Sequence, residues 1–174
     1  MIIPAVRDDI EFENALNSNA SLIFDLNSSI LTFETRIKKA HAKNKKLFIH
    51  IDLAEGIGKD KKGIQYLKTI GVDGIISTRS NIIKFAKESR LSTIQRFFLL
   101  DSQSVISIIN TVKDSKPDMI EIMPGVIYKM IRSLKKELNI PIIAGGLLDA
   151  QAEIDQALKE GAFAVSTSKK IFWK

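Results

Sequence analysis

Cysteine is absent from the 174-residue sequence. Its absence removes a disulfide framework, a thiolate nucleophile and any zinc or iron–sulfur centre held by thiolates. No uncharged apolar run reaches the roughly 18–20 residues needed to cross a bilayer. The opening MIIPAVRDDIEFEN meets acids early and has neither the basic nor the apolar region of a signal peptide. A cytoplasmic chain with no membrane partner is therefore expected. Linkers rich in Pro, Gly or Ser are missing, as are low-complexity runs, so one domain over residues 1–174 is expected. The HExxH, EF-hand, Walker and GxSxG patterns do not occur.

What is present is an ordinary globular composition, 45% hydrophobic and 26% charged, which excludes a disordered chain. Twenty-six Lys and Arg against twenty Asp and Glu leave a net charge of +6. The excess favours anionic partners such as phosphorylated metabolites or nucleic acid, and it fits equally with Lys-rich solvated helix faces.

A short apolar run, a polar break and a longer amphipathic stretch recur along the chain. The short runs are IIPAV (Ile2–Val6), SLIFDL (Ser21–Leu26), KLFIHIDL (Lys46–Leu53), DGIIST (Asp73–Thr78), STIQRFFLL, DMIEIMP (Asp118–Pro124), IPIIAGG (Ile140–Gly146) and AFAVSTS (Ala162–Ser168). They are rich in Ile, Val and Phe and of strand length, whereas the stretches between them carry apolar residues at helical spacing. Val126, Ile127, Met130, Ile131, Leu134 and Leu138, for instance, form one stripe. Ser80, Asp149 and either Asp101 or Ser102 are expected to cap helices, and Gly71 and Gly161 to end them. Strand–helix alternation implies right-handed crossovers and a parallel sheet. Eight such units predict a compact TIM-barrel-like α/β fold, (β/α)8, whose last helix is reduced to the tail KKIFWK. An open doubly wound sheet is the alternative.

A barrel works at the C-terminal ends of its strands. Arg7, Asp25, His50, Asp52, Arg79, Asp101 and Glu121 fall at those ends, followed by Gly145–Gly146 and Ser166–Thr167–Ser168. Glycines let backbone amides approach an anion and hydroxyls at a helix start add donors, so Gly145, Gly146, Thr167 and Ser168 form a candidate phosphate site, with Lys169 adjacent. His50 and Asp52, two apart on one strand, are expected on the same face. They read as a general-base pair, as contacts to a hydroxylated ligand, or as partners of each other. Asp25, Asp52 and Glu121 offer oxygens to a metal, although scattered acids are common at barrel mouths and no metal site is assigned. His41 reads as surface, and Phe97–Phe98 as packing between layers.

The succession IIPAVR, LFIHIDL, GIISTRSN, IQRFFLLDS, PDMIEIMPG, IPIIAGG and AVSTS…FW, from Ile3 to Trp173, resembles the glycerol-3-phosphate-responsive antiterminators of bacterial glycerol uptake operons. ISTRSN followed by IQRFFLLD is the most specific stretch. The resemblance implies a TIM-barrel-like regulator rather than an enzyme, with glycerol 3-phosphate as effector and no other cofactor. Its other partner would be leader mRNA, on which it prevents termination. It would set the phosphate on Gly145, Gly146, Thr167 and Ser168, with His50, Asp52, Arg79 and Glu121 around the glycerol portion. Lys59, Lys61 and Lys62, after the third strand, would join ligand binding to RNA. A phosphosugar-processing barrel enzyme using His50 or Asp52 is the alternative, as is a metabolite sensor acting on another protein. A monomer and a homo-oligomer are not distinguished.

Overall fold

The computed structural model describes residues 1–101 and 103–174. Eight strands alternate with seven helices: β1 (Ile2–Val6), α1 (Asp9–Leu16), β2 (Leu22–Asp25), α2 (Phe33–Ala42), β3 (Lys46–His50), α3 (Lys61–Thr69), β4 (Gly74–Ser77) and α4 (Ser80–Glu88). The second half continues with β5 (Ser92–Phe98), α5 (Gln103–Ser115), β6 (Met119–Met123), α6 (Tyr128–Glu137), β7 (Ile142–Gly145), α7 (Gln151–Lys159) and β8 (Ala164–Thr167). Each strand pairs in parallel with the next, and β8 pairs with β1, closing the barrel. In place of an eighth helix stands one 3-10 turn, Lys170–Phe172. Trp173, 3% exposed, fixes it by donating its indole N–H to the carbonyl of Thr167 at 2.9 Å. The expected barrel with a truncated last helix is the observed one.

Side-chain alternation divides the apolar residues. Ile3, Ala5, Leu22, Phe24, Phe48, Ile76, Ile94, Ile143 and Ala164 fill the interior, and the intervening residues pack outward against the helices in two further clusters. Gly74 leaves room for the Phe48 ring, which a Cβ there would meet at 2.4 Å. The stripe expected on α6 is buried at Ile131, Leu134 and Leu138. Phe97 packs against the second helix-facing cluster, but Phe98 is exposed rather than packed between layers.

Several local expectations change. β3 stops at His50, because Ile51–Ala54 forms a turn in which Leu53 N–H reaches the His50 carbonyl at 3.2 Å. Ser80 does not cap α4; it is the first helical residue, and its hydroxyl accepts from the Gln95 amide at 3.0 Å. Asp149 does not cap α7 either. The Glu153 carboxylate accepts the amides of Asp149 and Ala150 at 2.7 and 3.0 Å instead. Asp101 accepts the Ser104 amide at 2.9 Å, as a cap should, and Ser102 lies outside the described residues.

Gly71 and Gly161 follow α3 and α7 in the left-handed conformation, at φ 91° and 105°. At the equivalent positions after α2 and α4 stand Asn44 and Arg90, and directly after α5 stands Lys116, at φ 55°, 57° and 50°. A side chain in that region costs about 1 kcal/mol or more.

Candidate functional site

Three strands present polar residues to the barrel interior at its C-terminal end. Arg96 follows Ile94 on the inner face of β5, Glu121 is its register partner on β6, and Ser166 follows Ala164 on β8. Arg96 and Glu121 are 7% and 1% exposed. Arg96 Nε donates to Glu121 Oε2 at 2.6 Å, and Ser166 Oγ donates to Glu121 Oε1 at 2.5 Å. β6 and β8 are not neighbours; β7 lies between them. They meet because the intervening inward position is Gly145, where a Cβ would stand 2.6 Å from both Glu121 Oε1 and Ser166 Oγ. Both oxygens of a buried carboxylate are thereby occupied, the condition under which a buried ion pair is tolerated.

Above this network opens a cavity of about 100 Å³. Its walls include Arg7 from the end of β1, Arg96 and Glu121, Gly146 to Asp149 after β7, and Ser166 to Lys169 after β8. With the Nε of Arg96 committed to Glu121, its terminal nitrogens remain as donors on the cavity wall. Lys169 reaches across to Asp149 at 3.1 Å, linking the last two strand-end loops. The Arg7 backbone is fixed from both sides: its N–H donates to Glu11 at 2.7 Å and its carbonyl accepts from Asn27 at 3.3 Å. Gly146 and Leu147 both have positive φ, 73° and 56°, and Leu147 projects into solvent with 68% exposure. Three cations and the hydroxyls of Ser166, Thr167 and Ser168 thus converge on one small space, an arrangement suited to a phosphate ester.

Of the residues the sequence assigned to the ligand, Gly146, Thr167, Ser168 and Glu121 line this cavity, joined by the strand-end residues Arg7, Ser166 and Lys169. Gly145 lies beneath it as the gap across which Glu121 and Ser166 bond. Thr167 Oγ1 also accepts the Lys169 amide at 3.1 Å, shaping the turn. His50, Asp52 and Arg79 are not part of the walls. Asp52 lies beyond the end of β3 and turns its carboxylate to β4, accepting the Ser77 hydroxyl and the Thr78 amide at 2.7 Å each and the Thr78 hydroxyl at 2.9 Å. Burial works against that carboxyl's ionisation, but the Thr78 and Ser77 donors still hold it below the usual carboxylate range. Arg79, half exposed, approaches the same carboxylate at 3.8 Å.

His50 is buried, and neither ring nitrogen has a hydrogen-bond partner. Burial and then the neighbouring Arg96 cation push its pKa down to about 4, against the pull of Asp52. The imidazole is therefore neutral at pH 7 and is not bonded to Asp52, so the two do not form a general-base pair.

Asp25 does not reach the mouth at all. Phe24 faces the barrel interior, so Asp25 faces the helices, where it binds Arg36 of α2 at 2.7 Å. The same guanidinium binds Asp9 at 2.6 Å and lies over the Phe12 ring, 5.2 Å from its centroid. Burial raises the Asp25 carboxyl despite that partner. Among the described residues no group of three or more His, Asp or Glu is placed to hold a metal. The lysines after β3 are also largely committed. Lys59 donates to the carbonyls of Ala54 and Ile57 within its own loop, and Lys61 pairs with Glu88 at 2.7 Å, which leaves Lys62. His41 is a surface residue bound to Asp73 at 2.9 Å. No helix among the described residues is long and apolar enough to cross a membrane.

Among known proteins, the family model for glycerol-3-phosphate responsive antiterminators matches residues 2–173. A solved glycerol uptake operon antiterminator regulatory protein from Listeria monocytogenes is 36% identical, with a TM-score of 0.93 over 99% of this chain and 94% of that one. An antiterminator-related protein from Thermotoga maritima is 29% identical, with a TM-score of 0.88 over 99% and 96% of the two chains. The Escherichia coli protein YgcP, itself uncharacterized, is 35% identical over 173 residues, which are 99% of this chain and 91% of that protein.

Proposed function

Since the chain belongs to the glycerol-3-phosphate responsive antiterminator family, we propose that glycerol 3-phosphate binds in the cavity at the barrel mouth and that the liganded protein acts on leader mRNA in the cytoplasm to prevent termination. The observation that carries this reading is the cavity itself, a polar space lined by Arg7, Arg96 and Lys169 over the buried Arg96–Glu121–Ser166 network. The phosphoryl group lies against Gly146, Thr167, Ser168 and Lys169, where cationic and hydroxyl donors meet it. Arg96, immobilised by Glu121, contacts the ester without having to be ordered on binding, and Glu121 remains its partner rather than a contact of the glycerol hydroxyls.

The protein works by binding rather than by chemistry on the ligand. Asp52 is spent on Ser77 and Thr78, and the neutral His50 has no carboxylate to orient it, so the pair has no acid–base part to play. Ligand shifts the protein toward an RNA-competent state only by the difference between its affinities for the two states. The Lys169–Asp149 link gives that difference a physical origin, because a phosphoryl dianion competes with Asp149 for the same ammonium.

Transcription in vitro across the leader terminator of the glycerol uptake genes tests the reading. Read-through should rise when protein and glycerol 3-phosphate are added together. Termination that is unaffected by folded, liganded protein would exclude it.

A further inference from the structure

The end of the barrel opposite the cavity, where helices pass into strands, carries cations that no carboxylate answers. Exposed Lys43, Lys68, Arg90, Lys113, Lys116 and Lys136 stand there, and none joins an ion pair among the described residues. Most acids of the same end are already engaged: Glu88, Asp114, Asp118 and Glu160 bind Lys61, Lys84, Lys87 and Arg132, while Glu137, the last residue of α6, joins no ion pair among the described residues. Three of the free cations, Lys68, Arg90 and Lys116, lie close together. Lys68 Nζ donates to the Arg90 carbonyl at 3.3 Å, and Arg90 shares a shallow groove with Lys87 and Asp118, on the loop that begins at Lys116.

The favourable placement of cations at helix C-termini accounts for Lys68, Lys113 and Lys136, which lie in last turns. It does not account for the left-handed backbone at Arg90 and Lys116. These adopt, just past their helices, the left-handed backbone that α3 and α7 give to Gly71 and Gly161, and neither side chain gains a hydrogen bond within the protein among the described residues. Strained side chains persist where function uses them. Their position in the chain is telling. Arg90 and Lys116 lie in the short loops that lead into β5 and β6, the two paired strands that carry Arg96 and Glu121 at the other end.

Resting on the reading that leader RNA is the partner, we propose that this N-terminal face of the barrel binds the RNA phosphates, with Arg90 and Lys116 at its centre. Ligand and RNA then occupy opposite ends of the same two strands and do not compete. The ligand acts on RNA binding from the far end of the barrel, by the difference between its affinities for the two states, and not by touching the RNA.

Fluorescence anisotropy with a labelled transcript of the leader that precedes the glycerol uptake genes tests this placement. The variant is Arg90→Gly/Lys116→Gly, with Lys62→Glu on the opposite end as control. The double variant should melt at a higher temperature than the parent, because glycine relieves both left-handed positions. It should bind glycerol 3-phosphate as the parent does. Its RNA affinity should fall by about tenfold or more, and the slope of log affinity against log salt should shrink by about 0.7 for each RNA phosphate that is no longer neutralised. Lys62→Glu should bind RNA like the parent. Unchanged RNA affinity and salt slope in the double variant, or a loss confined to Lys62→Glu, would overturn the placement and leave the antiterminator reading standing. A parent that binds glycerol 3-phosphate but no leader RNA would remove both.

Discussion

Ser166 Oγ donates to Glu121 Oε1 at 2.5 Å across a strand that belongs to neither residue. The bond passes through the space left by Gly145, and on its other side the same carboxylate holds Arg96 at 2.6 Å. A guanidinium on the cavity wall is therefore fixed by a carboxylate that a serine two strands away holds in place. The first glycine of the IIAGG stretch, Gly145, serves the site by having no side chain to obstruct that bond.

Removing the carboxylate charge strands a buried cation. Glu121→Gln should lower unfolding free energy by about 3 kcal/mol, the usual cost of breaking a buried pair from one side. Ser166→Ala should cost less, about 1–2 kcal/mol, because Arg96 keeps its partner. Urea midpoints of the two variants provide the check, and a Glu121→Gln protein as stable as its parent would show that the network is incidental.

Gly145→Ala tests the same geometry by addition. The new methyl would meet both oxygens at 2.6 Å, a distance that forces them apart. A loss of about 1–3 kcal/mol is expected, together with weaker ester binding as Arg96 loosens. Gly71→Ala, whose Cβ would meet nothing closer than 3.9 Å, should reduce stability through its backbone conformation alone and leave ligand affinity unchanged.

The His50 imidazole gives the fold a pH dependence. Its pKa is near 6.5 in an unfolded chain and about 4 in the fold, so between those values the unfolded state binds the extra proton. Stability is full above about pH 6.5 and falls as the pH drops toward 4, by up to about 3 kcal/mol from this group. Denaturation followed from pH 7 to pH 4 should show that decline, and His50→Leu should flatten it. An equally steep decline in His50→Leu would assign it to other groups.

Much of the architecture could be read from the sequence because a closed parallel barrel repeats one unit eight times. The alternation of apolar runs and amphipathic stretches marks each unit. The rule of side-chain alternation also contained more of the site than the strand-end positions alone suggested. Arg96 lies two after inward-facing Ile94 on β5, and Asp25 lies one after inward-facing Phe24 on β2, so one belongs to the mouth and the other to the helix layer. His50 and Asp52 are two apart as well, but β3 ends between them, and the turn from Ile51 to Ala54 carries Asp52 to the β4 loop. Where a strand ends depends on backbone bonds to neighbouring segments, which a pattern along one chain does not encode. The capping role of Glu153 and the commitment of Lys59 to its own loop were hidden for the same reason.

The Asp25–Arg36 pair between β2 and α2 should behave oppositely to His50 once its cation is removed. Arg36→Leu leaves a buried carboxyl that burial already raises, and at pH 7 about 3 kcal/mol should be lost. The folded variant then holds its proton more tightly than the unfolded chain, so the deficit should shrink as the pH falls. Melting curves at pH 7 and pH 5 decide this, and a deficit that grows on acidification would contradict it.

The most direct measurement is calorimetric titration of the protein with glycerol 3-phosphate, alongside glycerol and inorganic phosphate. Saturable binding of the ester, well above both controls and strongly weakened in an Arg96→Met variant that remains folded, is the expected result. Failure of the folded protein to bind the ester, or binding indifferent to Arg96, would contradict the assignment of the cavity at the barrel mouth.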